Sequence, residues 1–287
     1  VAPLLALAAA ITYGAADFFG GFVTRRANVF TVAAVSQVAG TIVLASALPF
    51  FLDGSKASAG ALGWGAASGA AGALGVVLFY QALALGRMSV VAPITGVVAA
   101  ALPVLYGLLT GERPRAVALL GVFIALVAVV LVSSAPEEPQ DDPSTEQDRP
   151  SGQVATVLAL GAGLGFAGFF ILLAQAGSGA GLWPLVGARA ASVSLLGIAL
   201  LAARAPVRPP RGAGSLIVAA GVLDVSANLL YLLASQRGLL SLVAVITSMY
   251  PATTVVMART ILHERLYRPQ ILGLVAAAVG VSLIALG

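Results

Sequence analysis

The segment ALALGRMSVVAPITGVVAAALPVLYGLLTGERPRAVALLGVFIALVAVVL, residues 82–131, aligns without a gap on ASQRGLLSLVAVITSMYPATTVVMARTILHERLYRPQILGLVAAAVGVSL, residues 234–283. About a third of the positions are identical, among them Gly86 and Gly238, Ser89 and Ser241, Ile94 and Ile246, Thr95 and Thr247, Glu112 and Glu264, and Gly121 and Gly273. Apolar composition alone does not repeat Gly-x-x-Ser, Ile-Thr and Glu-Arg landmarks at one spacing, so the chain reads as a duplication. Between the copies stands SAPEEPQDDPSTEQDRPSG, Ser134–Gly152, with Glu137, Glu138, Asp141, Asp142, Glu146 and Asp148 among the eleven acids of the chain. A segment so acidic and proline-rich buries no apolar surface and reads as a solvated linker. The expected organisation is a first five-helix repeat at 1–134, an acidic Pro-rich linker at 135–152 and a second five-helix repeat at 153–287.

Of the 287 residues, 60% are hydrophobic and 9% charged, against roughly 25% charged in an ordinary soluble domain. That excludes a soluble enzyme and points to the bilayer, whose core of about 30 Å is spanned by about 20 apolar residues in a helix. The net charge of +4 comes from bases scattered over short connections, which is topological signalling rather than a nucleic-acid surface. There is no cysteine and a single histidine, His263, so neither a disulfide framework nor a histidine-built metal site is expected. The first apolar segment has no basic region before it and contains Asp17, so it reads as a retained span rather than a signal peptide.

Helices are predicted at about 3–23, 28–52, 58–85, 88–110 and 115–134, then at 153–176, 182–203, 214–236, 239–262 and 267–287. An all-α integral membrane protein of ten transmembrane helices follows, since an open sheet would leave backbone groups unpaired in lipid. Each repeat has an odd number of spans, so the second enters the membrane upside down relative to the first. Two inverted five-helix repeats are an architecture of secondary transporters, which expose a midplane site to one side and then the other. Close helix packing is expected at Gly65, Gly69 and Ala73, at Ser68, Gly72 and Val76, and at Gly161 and Gly165. Pro93, Pro103 and Pro251 should kink helices four and nine. Gly163, Gly165 and Gly168 spell GxGxxG, but within a membrane helix rather than after a strand, so no dinucleotide site is read there.

Outside the linker only Asp17, Asp53, Glu112, Asp224 and Glu264 remain as acids. In helix eight, Asp224, Asn228, Tyr231 and Ser235 are spaced by four, three and four and share one face. A carboxylate at the centre of a span costs about 3 kcal/mol and is normally turned into the bundle. Its two readings are a substrate or proton site and an interhelical tie. Helix one offers Tyr13, Asp17, Gly20 and Thr24, with Asp17 either facing a cavity or anchored to Arg25 or Arg26. Arg189, the one base deep in a span, is the natural counter-ion of Asp224 or Asp17, or a partner for an anionic group on a substrate. Thr95, Leu102 and Tyr106 form a polar stripe in helix four, and Thr247, Tyr250 and Thr254 form one in helix nine. Hydroxyls and aromatic rings together suit an organic solute, and Tyr80, Gln81, Gln37 and Gln175 are further candidates. Glu112–Arg113 and Glu264–Arg265 lie at turns, where a carboxylate can cap the following helix.

On these residues the chain resembles the drug/metabolite transporter superfamily, and within it the EamA-type proteins of two five-helix repeats. The likeness rests on Tyr13-Gly14 in helix one, Gly86-x-x-Ser89 and Gly238-x-x-Ser241 entering helices four and nine, and Glu112…Gly121 and Glu264…Gly273 entering five and ten. The family often has Trp where Tyr13 stands and an arginine in helix two, where this chain has Gln37. The resemblance implies a carrier with a cavity between the repeats, moving small organic metabolites, often outward. It also implies both termini in the cytoplasm, whereas Arg25, Arg26, Arg204, Arg208, Arg211, Arg265 and Arg268 on the opposite loops argue for the reverse orientation by the positive-inside rule.

The function expected is secondary active transport of an amino-acid-like or similar solute by alternating access, with export as the direction and proton coupling at Asp224 or Asp17. The substrate-binding set is Tyr13, Asp17, Tyr80, Thr95, Arg189, Asp224, Asn228, Tyr231, Thr247 and Tyr250, with no catalytic residue, metal or cofactor. The alternatives are an intramembrane lipid-modifying enzyme, for which no HExxH or serine–histidine pattern is present, and a scaffold without transport activity. The partners expected are a small-molecule substrate and the lipid bilayer of a plasma (bacterial inner) membrane, and no nucleic acid. A monomer is expected, with a homodimer as the alternative.

Overall fold

The computed structural model describes residues 1–24, 26–50, 57–85, 88–133, 152–177, 179–261 and 267–286. Residues 134–151 of the linker, Arg25, Asp53, Gly86 and the His263–Glu264–Arg265 run lie outside the described residues, and Gly152 already belongs to a helix. Helices occupy α1 Ala2–Thr24, α2 Val29–Ala47, α3 Ala59–Leu85, α4 Met88–Leu109, α5 Ala116–Ser133, α6 Gly152–Ala174, α7 Trp183–Ala202, α8 Gly214–Ser235, α9 Leu240–Thr247, α10 Tyr250–Ile261 and α11 Arg268–Leu286. No strand occurs among the described residues. Eight stretches, with α9 and α10 counted as one, are long and apolar enough to cross a membrane, and parts of α4 and α5 form two shorter apolar helices. Large apolar side chains such as Leu4, Leu74, Phe123, Leu164 and Ile198 point outward, where water would penalise them and lipid does not.

Local chemistry sets the ends. Asn28 caps α2 by accepting from the amides of Phe30 and Thr31 at 2.9 and 3.4 Å, and the Ser58 hydroxyl accepts from Ala61 N at 3.1 Å to open α3. Pro184 sits in the first turn of α7, where its missing N–H costs nothing. The ninth span is not the single helix expected from sequence. It breaks after Thr247 and resumes at Tyr250. Pro251 cannot donate to the Thr247 carbonyl, so the regular ladder fails one turn earlier. By contrast α4 continues through both Pro93 and Pro103.

Most of the extensive helix pairings join the two halves: α1 packs on α8 and α3 on α6, α2 on α8 and α3 on α7, α1 on α9 and α10 and α4 on α6, and α5 on α11. Glycines make the closest crossings. A methyl group at Gly69 of α3 would overlap the Ala188 carbonyl of α7, and one at Gly221 of α8 would overlap the Ser36 carbonyl of α2. Gly69 and Gly221, like Ser36 and Ala188, are 152 positions apart, the offset that superposes 82–131 on 234–283. Gly121 of α5 lies against Gly280 of α11, where an added Cβ would come to 2.8 Å from the Gly280 carbonyl. The GxGxxG glycines are packing residues of α6, with Gly163 against Val98 and Gly165 against Gly75.

The turn after α4 has a structural task that sequence assigned to the wrong helix. Gly111 takes φ +102, a left-handed conformation that glycine adopts without strain, and Glu112 N bonds back to the Gly107 carbonyl at 2.8 Å, which closes the helix. The Glu112 side chain then reaches α9 of the other half, accepting from Leu240 N at 2.7 Å and Ser241 N at 3.0 Å. It caps α9, not the following α5, because the tight glycine turn aims it across the interface. Small neighbours are required, since a Cβ at Gly107 would collide with the carboxylate. Glu112→Ala is expected to destabilise the protein by about 1–2 kcal/mol through loss of this charged cap, with a smaller loss for Glu112→Gln. An unchanged melting temperature in detergent for Glu112→Ala would show the cap to be inert.

Candidate functional site

A cavity of about 650 Å³, its mouth included, is lined by residues of α1, α2, α3, α6, α7, α8 and α10. One wall is polar. Helical spacing puts Asp224 and Asn228 on one face of α8, and the Asn228 amide donates to Asp224 Oδ2 at 3.2 Å. Arg189 of α7 meets the same oxygen through Nη2 at 2.7 Å, and its Nη1 donates to Gln37 Oε1 of α2. Gln37 completes the ring by donating from Nε2 to Asp224 Oδ2 at 3.4 Å, and Ser192 Oγ donates to Gln37 Oε1 at 3.1 Å. Tyr13 of α1 closes the chain by donating its hydroxyl to Asn228 Oδ1.

Arg189 is only 4% exposed, while the Asp224 side chain keeps 23% of its surface open. A buried charge survives only when paired and hydrogen-bonded, and Gln37 and Asp224 together meet that need. Gln37 stands 152 positions before Arg189. The arginine that the resemblance implies for helix two is therefore carried at the equivalent position of the second half.

Apolar lining comes from Val76 and Ala73 of α3 and Phe166, Phe169 and Phe170 of α6. Phe170 is held between Tyr13, edge-on at 6.2 Å between ring centroids, and Tyr231 at 4.5 Å. The Tyr231 hydroxyl donates to the Phe170 carbonyl at 2.9 Å, so Tyr231 sets the wall from behind without lining it.

Six of the residues expected from sequence line this cavity: Tyr13, Asp17, Arg189, Asp224, Asn228 and Tyr250. The other four do not. Tyr80 is buried against Gly20 and Phe79, Thr95 donates to the Ala159 carbonyl at 3.2 Å and ties α4 to α6, Tyr231 supports Phe170, and Thr247 is fully buried at the end of α9. Of the alternatives for Arg189, Asp224 is its partner. Asp17 is paired with no base among the described residues, and Arg26 instead lies over the Phe22 ring at 6.0 Å. Sequence reasoning missed Ser192 and the three phenylalanines. Ser192 lies one turn beyond Arg189 on α7, a spacing that was visible, whereas no pattern sets those phenylalanines apart from other apolar residues.

Fold and site together define a polytopic helical membrane protein with a cavity between its two halves that carries a buried polar network. The EamA-like transporter family model matches residues 1–134 and 153–286, and the chain belongs to that family. It is thus a membrane transporter of the drug/metabolite type. A solved crystal structure, described only as that of a protein, superposes with a TM-score of 0.71 at 16% identity, covering 99% of this chain and 96% of its own. That likeness concerns the fold alone. Among curated proteins no sequence matches this one.

Proposed function

We propose that the protein is a secondary active transporter that moves a small, amino-acid-like organic metabolite out across the plasma membrane by alternating access. The observation that carries this reading is the cavity itself, lined by a polar network and by aromatic rings and open between helices of both halves. The paired crossings at Gly69–Ala188 and Gly221–Ser36, related by the repeat offset, support two inverted repeats at 1–134 and 153–287 joined by the linker. Such a pair offers two arrangements of similar energy about one site. Family membership favours a carrier over the enzyme and scaffold alternatives.

Proton coupling belongs to Asp17 in preference to Asp224. Asp224 accepts from Arg189, Gln37 and Asn228, and protonating it would strand the guanidinium. Asp17 faces the cavity with no hydrogen bond among the described residues, so it can take up and release a proton without dismantling a network. The test is solute flux in proteoliposomes under an imposed pH gradient. Asp17→Asn is expected to lose gradient-driven accumulation while keeping exchange at equal pH once the solute is saturating. Full accumulation by Asp17→Asn refutes the coupling role, and absence of saturable flux for any small organic solute refutes the carrier.

A further inference from the structure

Among the described residues the cavity is lined by one cation and two carboxylates, and only one carboxylate is balanced. Arg189 spends its charge on Asp224 and one further donor on Gln37, and its side chain is only 4% exposed, so an incoming carboxylate would have to compete with Asp224 for it. Asp17 lines the same cavity without an ion pair or hydrogen bond among the described residues. The Tyr250 hydroxyl also lacks a partner, although the residue is only 4% exposed and lines that cavity too. A half-buried carboxylate and a buried phenol left open in one cavity suit a charged donor, which can bond both oxygens at once.

We infer that the solute is an aralkyl or alkyl amine: its ammonium group sits between Asp17 and the Tyr250 hydroxyl, and its apolar body lies on Phe166, Phe169 and Phe170. The aromatic faces favour a cation beside them as well as an apolar body. A carboxylate on the solute gains nothing here. It would have to displace Asp224 from Arg189 or lie unpaired beside two acids, and a buried unpaired charge is costly. The site therefore ranks amines above amino acids and excludes the corresponding acids. For transport, the assignment rests on the carrier reading above; for binding, it rests on the cavity alone.

Three probes share one aromatic body: 2-phenylethylamine, phenylalanine and 3-phenylpropionate. Binding is read as a saturable rise in melting temperature of the full chain in detergent, and transport as counterflow in proteoliposomes. 2-Phenylethylamine is expected to bind roughly tenfold or more tightly than phenylalanine, and 3-phenylpropionate not at all. Asp17→Asn should weaken the amine by roughly tenfold to a hundredfold, with helix content unchanged by circular dichroism. Asp17→Glu, which keeps the charge, should recover part of the loss. Equal or tighter binding of either carboxylate-bearing probe, failure of the amine to bind, or full amine affinity in Asp17→Asn overturns the assignment. Binding of the amine without its counterflow upholds the site and overturns the amine as transported solute, while counterflow of phenylalanine alone upholds the carrier and overturns the assignment.

Discussion

Arg189→Met will lower the stability of the protein by about 3 kcal/mol, at the lower end of the range for breaking a buried ion pair. The partly open Asp224 side chain lets cavity water take up some of the loss. What is lost is less the attraction itself than the solvation of the groups left behind: Asp224 keeps only amide donors, and Gln37 Oε1 keeps only Ser192. The double variant Arg189→Met, Asp224→Leu should recover most of the stability, since it removes both charges and restores apolar volume. Thermal unfolding of the four proteins in one detergent closes the cycle. Additive losses would mean that the two side chains touch without depending on each other.

The second large effect is steric. Gly69→Leu and Gly221→Leu each place side-chain carbon where a backbone carbonyl of the neighbouring helix already lies. No rotamer avoids a clash at Cβ, so α3 must move from α7, or α8 from α2. The cost is expected at about 3 kcal/mol or more, at the upper end for overpacking. Gly63 on α3 and Gly197 on α7 have nothing within 4 Å of an added Cβ. Gly63→Leu and Gly197→Leu should be neutral or slightly stabilising, because leucine favours the helix by roughly 0.5–1 kcal/mol. Equal loss at Gly63 and Gly69 would show that bulk in lipid, rather than the crossing, sets the penalty.

Much of this was legible before any coordinates. Apolar length gave the spans, and intervals of four and three gave the Asp224 face. The rarity of charge picked out Asp17 and Arg189, since a lone ion in lipid has few reasons to be there. What was hidden is what a one-dimensional pattern cannot separate. Thr95 and Thr247 share the Ile-Thr landmark with the repeat, yet a hydroxyl that ties α4 to α6 has the same sequence signature as one that lines a cavity. Phe166, Phe169 and Phe170 carry no mark that separates a wall from ordinary packing. Glu112 read as a cap, but its target lies 128 residues away on Leu240, across a contact that only folding creates. The offset of 152 was already in the sequence. Applied to polar positions as well as to glycines, it would have paired Gln37 with Arg189.

On the carrier cycle proposed above, the unbalanced carboxylate also makes transport sensitive to voltage. With Asp17 ionised, the empty cavity holds one net negative charge, and with a proton or an ammonium group beside it the cavity is neutral. A full transmembrane potential of 100 mV acts on one elementary charge with about 2.3 kcal/mol, and a site partway across feels its share. The membrane field would therefore bias the return of the empty carrier while leaving the loaded passage nearly untouched, so that turnover, more than affinity, would follow the energised state of the cell.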